Sequence, residues 1–164
     1  MRDDLRPLSL TDAARSLGID PFEVVRLLVA SEAMPEGAPF LTAERVEALR
    51  ELGGIEAAWW EGARLPEDAN PRRRRLRAAL ALLAARGHVG TEATRLDNVT
   101  RGLPAAEQRF LGTALRALAD DGLLSVEVRP VGVVVAIVAS AAGRVRSIAD
   151  GIETPASVAG LLGG

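Results

Sequence analysis

The sequence predicts an α+β fold, mainly α, divided into two small domains. Three observations carry that expectation. Residues 104–122 repeat apolar side chains at helical spacing and run straight into two β-rich segments. Residues 8–54 hold three capped helix signals in close succession. Between them, residues 55–71 (IEAAWWEGARLPEDANP) change the composition and bring in acids and proline, as domain junctions do. The boundaries read as 1–54, a Trp-bearing linker 55–71, and 72–164. A chain of 164 residues can hold one medium domain or two small ones.

In the first domain Ser9 or Thr11 can cap a short helix to Leu17, which Gly18 ends. Asp20 then caps the next helix, Pro21 takes its first position, and Glu23 stands where a capping box needs it. Val24, Val25, Leu27 and Leu28 supply its apolar side, residues 35–41 read as a loop, and Thr42 caps a third helix ending at Gly53-Gly54. In the junction, Ile55 to Gly62 reads as a short helix and Leu65 to Pro71 as a linker. Trp59 and Trp60 are the only tryptophans; as adjacent helical residues, both are buried only if the segment lies between two surfaces. They read as a hinge packed between domains or as an anchor for a protein partner.

Asn70-Pro71 opens a helix to about Arg86, with Leu76, Ala79, Leu80 and Leu83 facing inward. Arg72, Arg73, Arg74, Arg75 and Arg77 crowd its first two turns, against the positive end of the helix dipole. Glu67 and Asp68 can offset part of this from the linker. Two explanations stand level: a phosphate-binding cluster, or a solvated run neutralised by the acidic first domain. A short helix follows over Thr91 to Gly102. Next, Pro104 opens a helix whose buried stripe is Phe110, Leu111, Ala114, Leu115 and Leu118, and Gly122 stops it. Opposite that stripe lie Arg109, Thr113 and Arg116. Leu124 to Arg129 and Val133 to Ala139 form a hairpin about Pro130-Val131-Gly132. The second strand (VVVAIVA) does not alternate, so something covers both its faces: a strand-like Arg144 to Ala149, the first domain, a second subunit, or a C-terminal helix capped by Thr154 with Pro155 first.

The stretch ALRALADDGLLSVEVRP resembles the winged helix-turn-helix family, from its Ala-Leu-Arg-x-Leu register to the Asp-Gly-Leu-Leu corner. The stretch LSLTDAARSLGIDPFEVVRLLVASE with FLTAERVEALREL is similar to the small helix-turn-helix of the MerR and excisionase families and covers about a third of the chain. Together they imply an N-terminal helix-turn-helix domain and a C-terminal winged helix with a β-hairpin. They also imply binding to double-stranded DNA, as a bacterial-type transcriptional regulator or nucleoprotein factor. The contacts then fall to Arg72, Arg73, Arg74, Arg75, Arg77, Arg109, Thr113 and Arg116, since arginine forks onto phosphate and guanine edges. The first domain departs from its family where it would meet DNA: its second helix opens with Asp20, Phe22 and Glu23, and Arg26 is its only positive charge.

Charge and composition bound the alternatives. Net charge is −2, but residues 1–54 hold six arginines against ten acids, and residues 71–122 hold ten against five. There is no lysine and no cysteine, and His88 is the lone histidine, in a predicted loop. Disulfides, thiolate metal sites and cysteine nucleophiles are therefore excluded. No catalytic constellation is legible, so the expectation is a non-enzyme with no cofactor and no metal. No long apolar run is present, which predicts a cytoplasmic protein without a membrane partner. A homodimer is expected from the uncovered strand. The competing function is a protein-interaction adaptor, for which the kleisin-binding subunits of chromosome-condensing complexes give a precedent by fold analogy alone. A small-molecule sensor would need a pocket that the sequence does not locate.

Overall fold

A computed structural model describes residues 7–31, 40–130 and 132–163. The chain is mainly helical with a small three-stranded antiparallel sheet, and divides into two compact units. One comprises Met1–Ala57 with Val128–Gly132; the other comprises Ala58–Glu127 and Val133–Gly164.

In the first unit the strand β1 (Leu8–Ser9) leads into α1 (Leu10–Leu17), α2 (Pro21–Ala30), β2 (Phe40–Leu41) and α3 (Ala43–Gly53). The caps fall where the sequence puts them. The Ser9 hydroxyl accepts from the Asp12 N–H, the Asp20 carboxylate from Phe22, and the Thr42 hydroxyl from Arg45. Gly18 and Gly54 end their helices at φ 68° and 61°. Ala13, Ala14, Leu17, Val24, Leu27, Leu28, Val46 and Leu49 close a core with Leu41 and Ile55. Part of the expected 35–41 loop, residues 35–39, lies outside the described residues. Phe40 and Leu41 are strand rather than loop, pairing antiparallel with Ser9 and Leu8.

The second unit runs α4 (Pro71–Ala85), β3 (Thr94–Arg95), α5 (Leu96–Thr100), α6 (Ala105–Asp120), β4 (Leu124–Arg129), β5 (Gly132–Ile137), a 3-10 turn (Ala139–Ala141), α7 (Ala142–Ala149) and α8 (Ala156–Leu162). Strand β5 is central, in the order β3-β5-β4, with Thr94 opposite Val135 and Arg95 opposite Val134. That position explains its unbroken apolar sequence: Val135 and Ile137 enter the main core, and Val134 and Ala136 are buried as well. All five stripe residues of α6 are buried against Leu76, Leu80 and Leu83 of α4. Helix α7 packs along α4 and α8 along α6, with Val158 as the plug of α8.

Several local expectations are corrected. Arg144 to Ala149 is helical, because Val145 and Ile148, three residues apart, are its buried pair and a strand would point them to opposite faces. Thr91 to Gly102 is not one helix: Thr94 and Arg95 complete the sheet, and only Leu96–Thr100 coils, burying Leu96 and Val99. Ile55 to Gly62 forms turns, bounded by glycines at φ 61° and 75°, which is too short a span to offset helix nucleation. Pro104 and Pro155 sit one residue before their helices, extended at ψ 147° and 142°, with their carbonyls accepting the first helical bonds. Thr154 therefore does not cap α8.

Candidate nucleic-acid interface

Helix α6 presents the residues the sequence singled out. Phe110, Leu111, Ala114, Leu115 and Leu118 take one side, which leaves Arg109, Thr113 and Arg116 exposed on the other. Neither guanidinium, nor the Thr113 hydroxyl, has a partner among the described residues. Next to Arg116, a groove of about 550 Å³ runs between α6 and β4, lined by Asp120, Ser125 and Val126 among others. Next to Arg109 and Thr113, a second groove of about 220 Å³ opens toward Arg72 and Leu161. The acids near the ends of α6 are partly occupied. Glu107 takes Arg75 at 3.0 Å, and Asp121 accepts the Ser157 hydroxyl.

The arginines at the start of α4 lie elsewhere and do other work. Arg73 forks onto Asp68, Nε to Oδ2 at 2.7 Å and Nη2 to Oδ1 at 2.9 Å. Arg77 reaches the same Oδ2 at 3.0 Å and donates from Nε to the Ala149 carbonyl, the last of α7, at 2.9 Å. Arg72 donates to the Leu161 carbonyl at 2.8 Å and lies 5.5 Å over the Phe110 ring. Arg75 adds to its Glu107 bond a stack 4.8 Å over Trp60. Asn70 caps α4 through the Arg72 and Arg73 N–H groups and donates to the Leu162 carbonyl at 3.1 Å. Of the five guanidiniums only that of Arg74 has no partner among the described residues.

These contacts resolve the apparent cost of five cations at a helix N-terminus. The carbonyl ends of α7 and α8, each the negative pole of a helix, arrive at that same place and take the charge. The segment 65–71 is accordingly tied to α4 through Asp68, although Leu65, Glu67, Ala69 and Pro71 remain exposed. The Asp68 side chain is 2% exposed, and its carboxyl is held well below the usual carboxylate range, chiefly by Arg73 and against the opposing effect of burial, with help from the Asn70 N–H and Arg77.

The tryptophans are likewise built into the second unit. Trp59 is 1% exposed in its core, with the Arg86 guanidinium 5.0 Å over its ring. Trp60 meets it edge-on at 5.2 Å and donates to the Val99 carbonyl at 2.7 Å. His88 lies in a loop and donates from Nδ1 to the Glu92 carbonyl at 3.0 Å. In the first unit Asp20 is spent on its cap, Arg26 is exposed, and Phe22 and Val29 on α2 are 82% and 59% exposed. Among the described residues no group of histidine or acidic side chains could hold a metal, and no helix is long and apolar enough to cross a membrane.

Of the two acids that the sequence offers as partial counterweights to the arginine run, Asp68 takes Arg73 and Arg77 through its carboxylate, while Glu67 meets Arg77 only through its backbone carbonyl. Comparison with protein-family models, curated proteins and solved structures finds no match to this chain.

Proposed function

We propose that the second unit is a winged helix-turn-helix that binds double-stranded DNA, with α6 as the helix that enters the major groove. Arg109, Thr113 and Arg116 make the contacts, and Arg74 adds a phosphate contact from α4. The observation that carries this is the contrast between two sets of arginines. Four of those on α4 have partners within the protein, whereas Arg109 and Arg116 share one exposed helix face with no partner among the described residues. An ordered row of unpaired arginines spaced seven residues apart suits a phosphate-flanked groove. The order helix, strand, helix, helix, hairpin, with the last strand central, supports the same reading. Arg73, Arg75 and Arg77 leave the interface and become structural, while Arg72 is anchored through one nitrogen to the Leu161 carbonyl. A regulator or nucleoprotein factor working in the cytoplasm fits this activity, and a homodimer would need a surface other than β5, which is buried within the chain.

The test is an anisotropy titration on random-sequence duplex at two salt concentrations. Binding that weakens steeply with salt, and less steeply once Arg109 and Arg116 are both alanine, supports the proposal. Equal slopes for wild type and variant overturn it.

A second reading rests on α2. The exposed Phe22 and Val29 lie two turns apart on an acidic unit, which favours a protein-binding first domain beside a DNA-binding second one. Pull-down of a partner that is lost on Phe22→Ser, with DNA affinity unchanged, separates the two.

A further inference from the structure

The 220 Å³ groove between the start of α4, the outer side of α6 and the end of α8 has a composition of its own. Its polar lining is Arg72, Arg109 and Thr113, and no carboxylate lines it. The nearest acid on α6, Glu107, is turned away into its ion pair with Arg75. Arg72 is fixed in advance: one Nη1–H goes to the Leu161 carbonyl and its Cζ lies 5.5 Å from the Phe110 ring centroid, while Nε and Nη2 have no partner among the described residues. Arg109 and Thr113 stand one helical turn apart on the same side, both without a partner among the described residues. At about 30 Å³ per water, the groove has room for a tetrahedral oxyanion with part of its hydration shell.

We propose that this groove binds a phosphoryl group. Arg72 supplies a preorganised donor pair, Arg109 the second positive charge, and the Thr113 hydroxyl a neutral donor. A phosphoryl dianion is favoured over a carboxylate by its second negative charge and by tetrahedrally disposed oxygens that donors on two helices can reach from different sides. Fixing Arg72 beforehand removes part of the entropy cost that a surface arginine incurs on binding. The group belongs either to a nucleic-acid backbone or to a free phosphorylated molecule. The site goes beyond the DNA reading, because it stands whichever source supplies the phosphoryl group.

The experiment is an NMR titration of the full chain, following arginine Nε–H signals and the Thr113 amide. Inorganic phosphate is added against sodium chloride at matched ionic strength. Saturable shifts centred on Arg72, Arg109 and Thr113, with Arg116 unmoved, are expected. Arg109→Gln should weaken binding at least about tenfold and Thr113→Val by several-fold, both from exposed positions that leave the core intact. Shifts that do not saturate, that are as large at Arg116, or that survive Arg109→Gln unchanged overturn the site. A random-sequence duplex is then added. Displacement of phosphate assigns the group to the backbone, and duplex binding with phosphate retained assigns it to a free molecule. Phosphate binding with no duplex binding ends the DNA reading and leaves the groove standing.

Discussion

Arg73 grips the Asp68 carboxylate with two parallel hydrogen bonds of 2.7 and 2.9 Å, across the turn that opens α4. The pair joins a segment without regular structure to the most charged helix start in the chain, and Arg77 shares the same carboxylate. Removing the acid therefore strands two cations at once, one of them mostly buried.

Asp68→Asn should destabilise the second unit by about 2–3 kcal/mol, since charge-assisted bonds to a buried acceptor are lost and their donors left behind. The pH dependence follows from the sign of the shift. The folded-state carboxyl lies below its unfolded value near 3.9, so its contribution is full above about pH 4 and is lost as pH falls through the folded value. Urea midpoints measured from pH 7 down to pH 2 should fall more steeply for wild type than for the variant. Parallel curves would show that Asp68 carries no such linkage.

Gly151 holds φ at 79°, and a Cβ there would stand 2.8 Å from Cζ of Arg77. Gly151→Ala should cost about 1–3 kcal/mol, from left-handed backbone strain and displacement of a guanidinium held at two acceptors. Pairing it with Arg77→Ala in a double-mutant cycle should recover part of that loss. Full additivity would mean that the two sites do not meet.

The two sets of arginines should separate by assay. Arg73→Ala or Arg75→Ala should lower the melting temperature while leaving the salt slope of DNA binding unchanged. Arg109→Ala or Arg116→Ala should leave melting unchanged and weaken binding, by about 1–3 kcal/mol on a preferred site if the side chain reads a base. A flattened salt slope in the Arg73 variant would return the α4 run to the interface.

Trypsin should cut first after Arg64, which is exposed and outside regular structure, and spare Arg72 to Arg77. The nicked pieces should stay together on a gel-filtration column, because Trp59, upstream of the cut, is buried in the core of the second unit. Early cleavage within Arg72–Arg75, or prompt separation of the pieces, would count against the Asp68 anchor.

Much of this architecture was legible because the signals were local. A cap, a proline and a glycine bracket α1, α2 and α3, and the stripe of α6 follows from spacing alone. The exposure of Arg109, Thr113 and Arg116 follows from the same spacing. What escaped reading depends on distant partners. Thr94 and Arg95 become strand only because β5 offers an edge, and Arg144 to Ala149 coils because α4 offers a face for Val145 and Ile148. The arginine run looked like a nucleic-acid patch because the carbonyls that use it lie 72 to 89 residues further along. Local pattern reports which side chains are charged and exposed to their neighbours in sequence. It cannot report which helix ends will arrive to claim them.

The clasp at the start of α4 has a consequence for how the chain is made. Asn70 and Leu162 are 92 residues apart, and the bond between them closes almost the whole second unit into a ring. At about 5–20 residues per second, the ribosome delivers that distance in on the order of ten seconds. For that interval α4 has Asp68 for Arg73 and Arg77 but not the carbonyls of Ala149 and Leu161 that later take Arg77 and Arg72. Folding of this unit is thus gated by its last turn, with the slow kinetics that long-range closure brings.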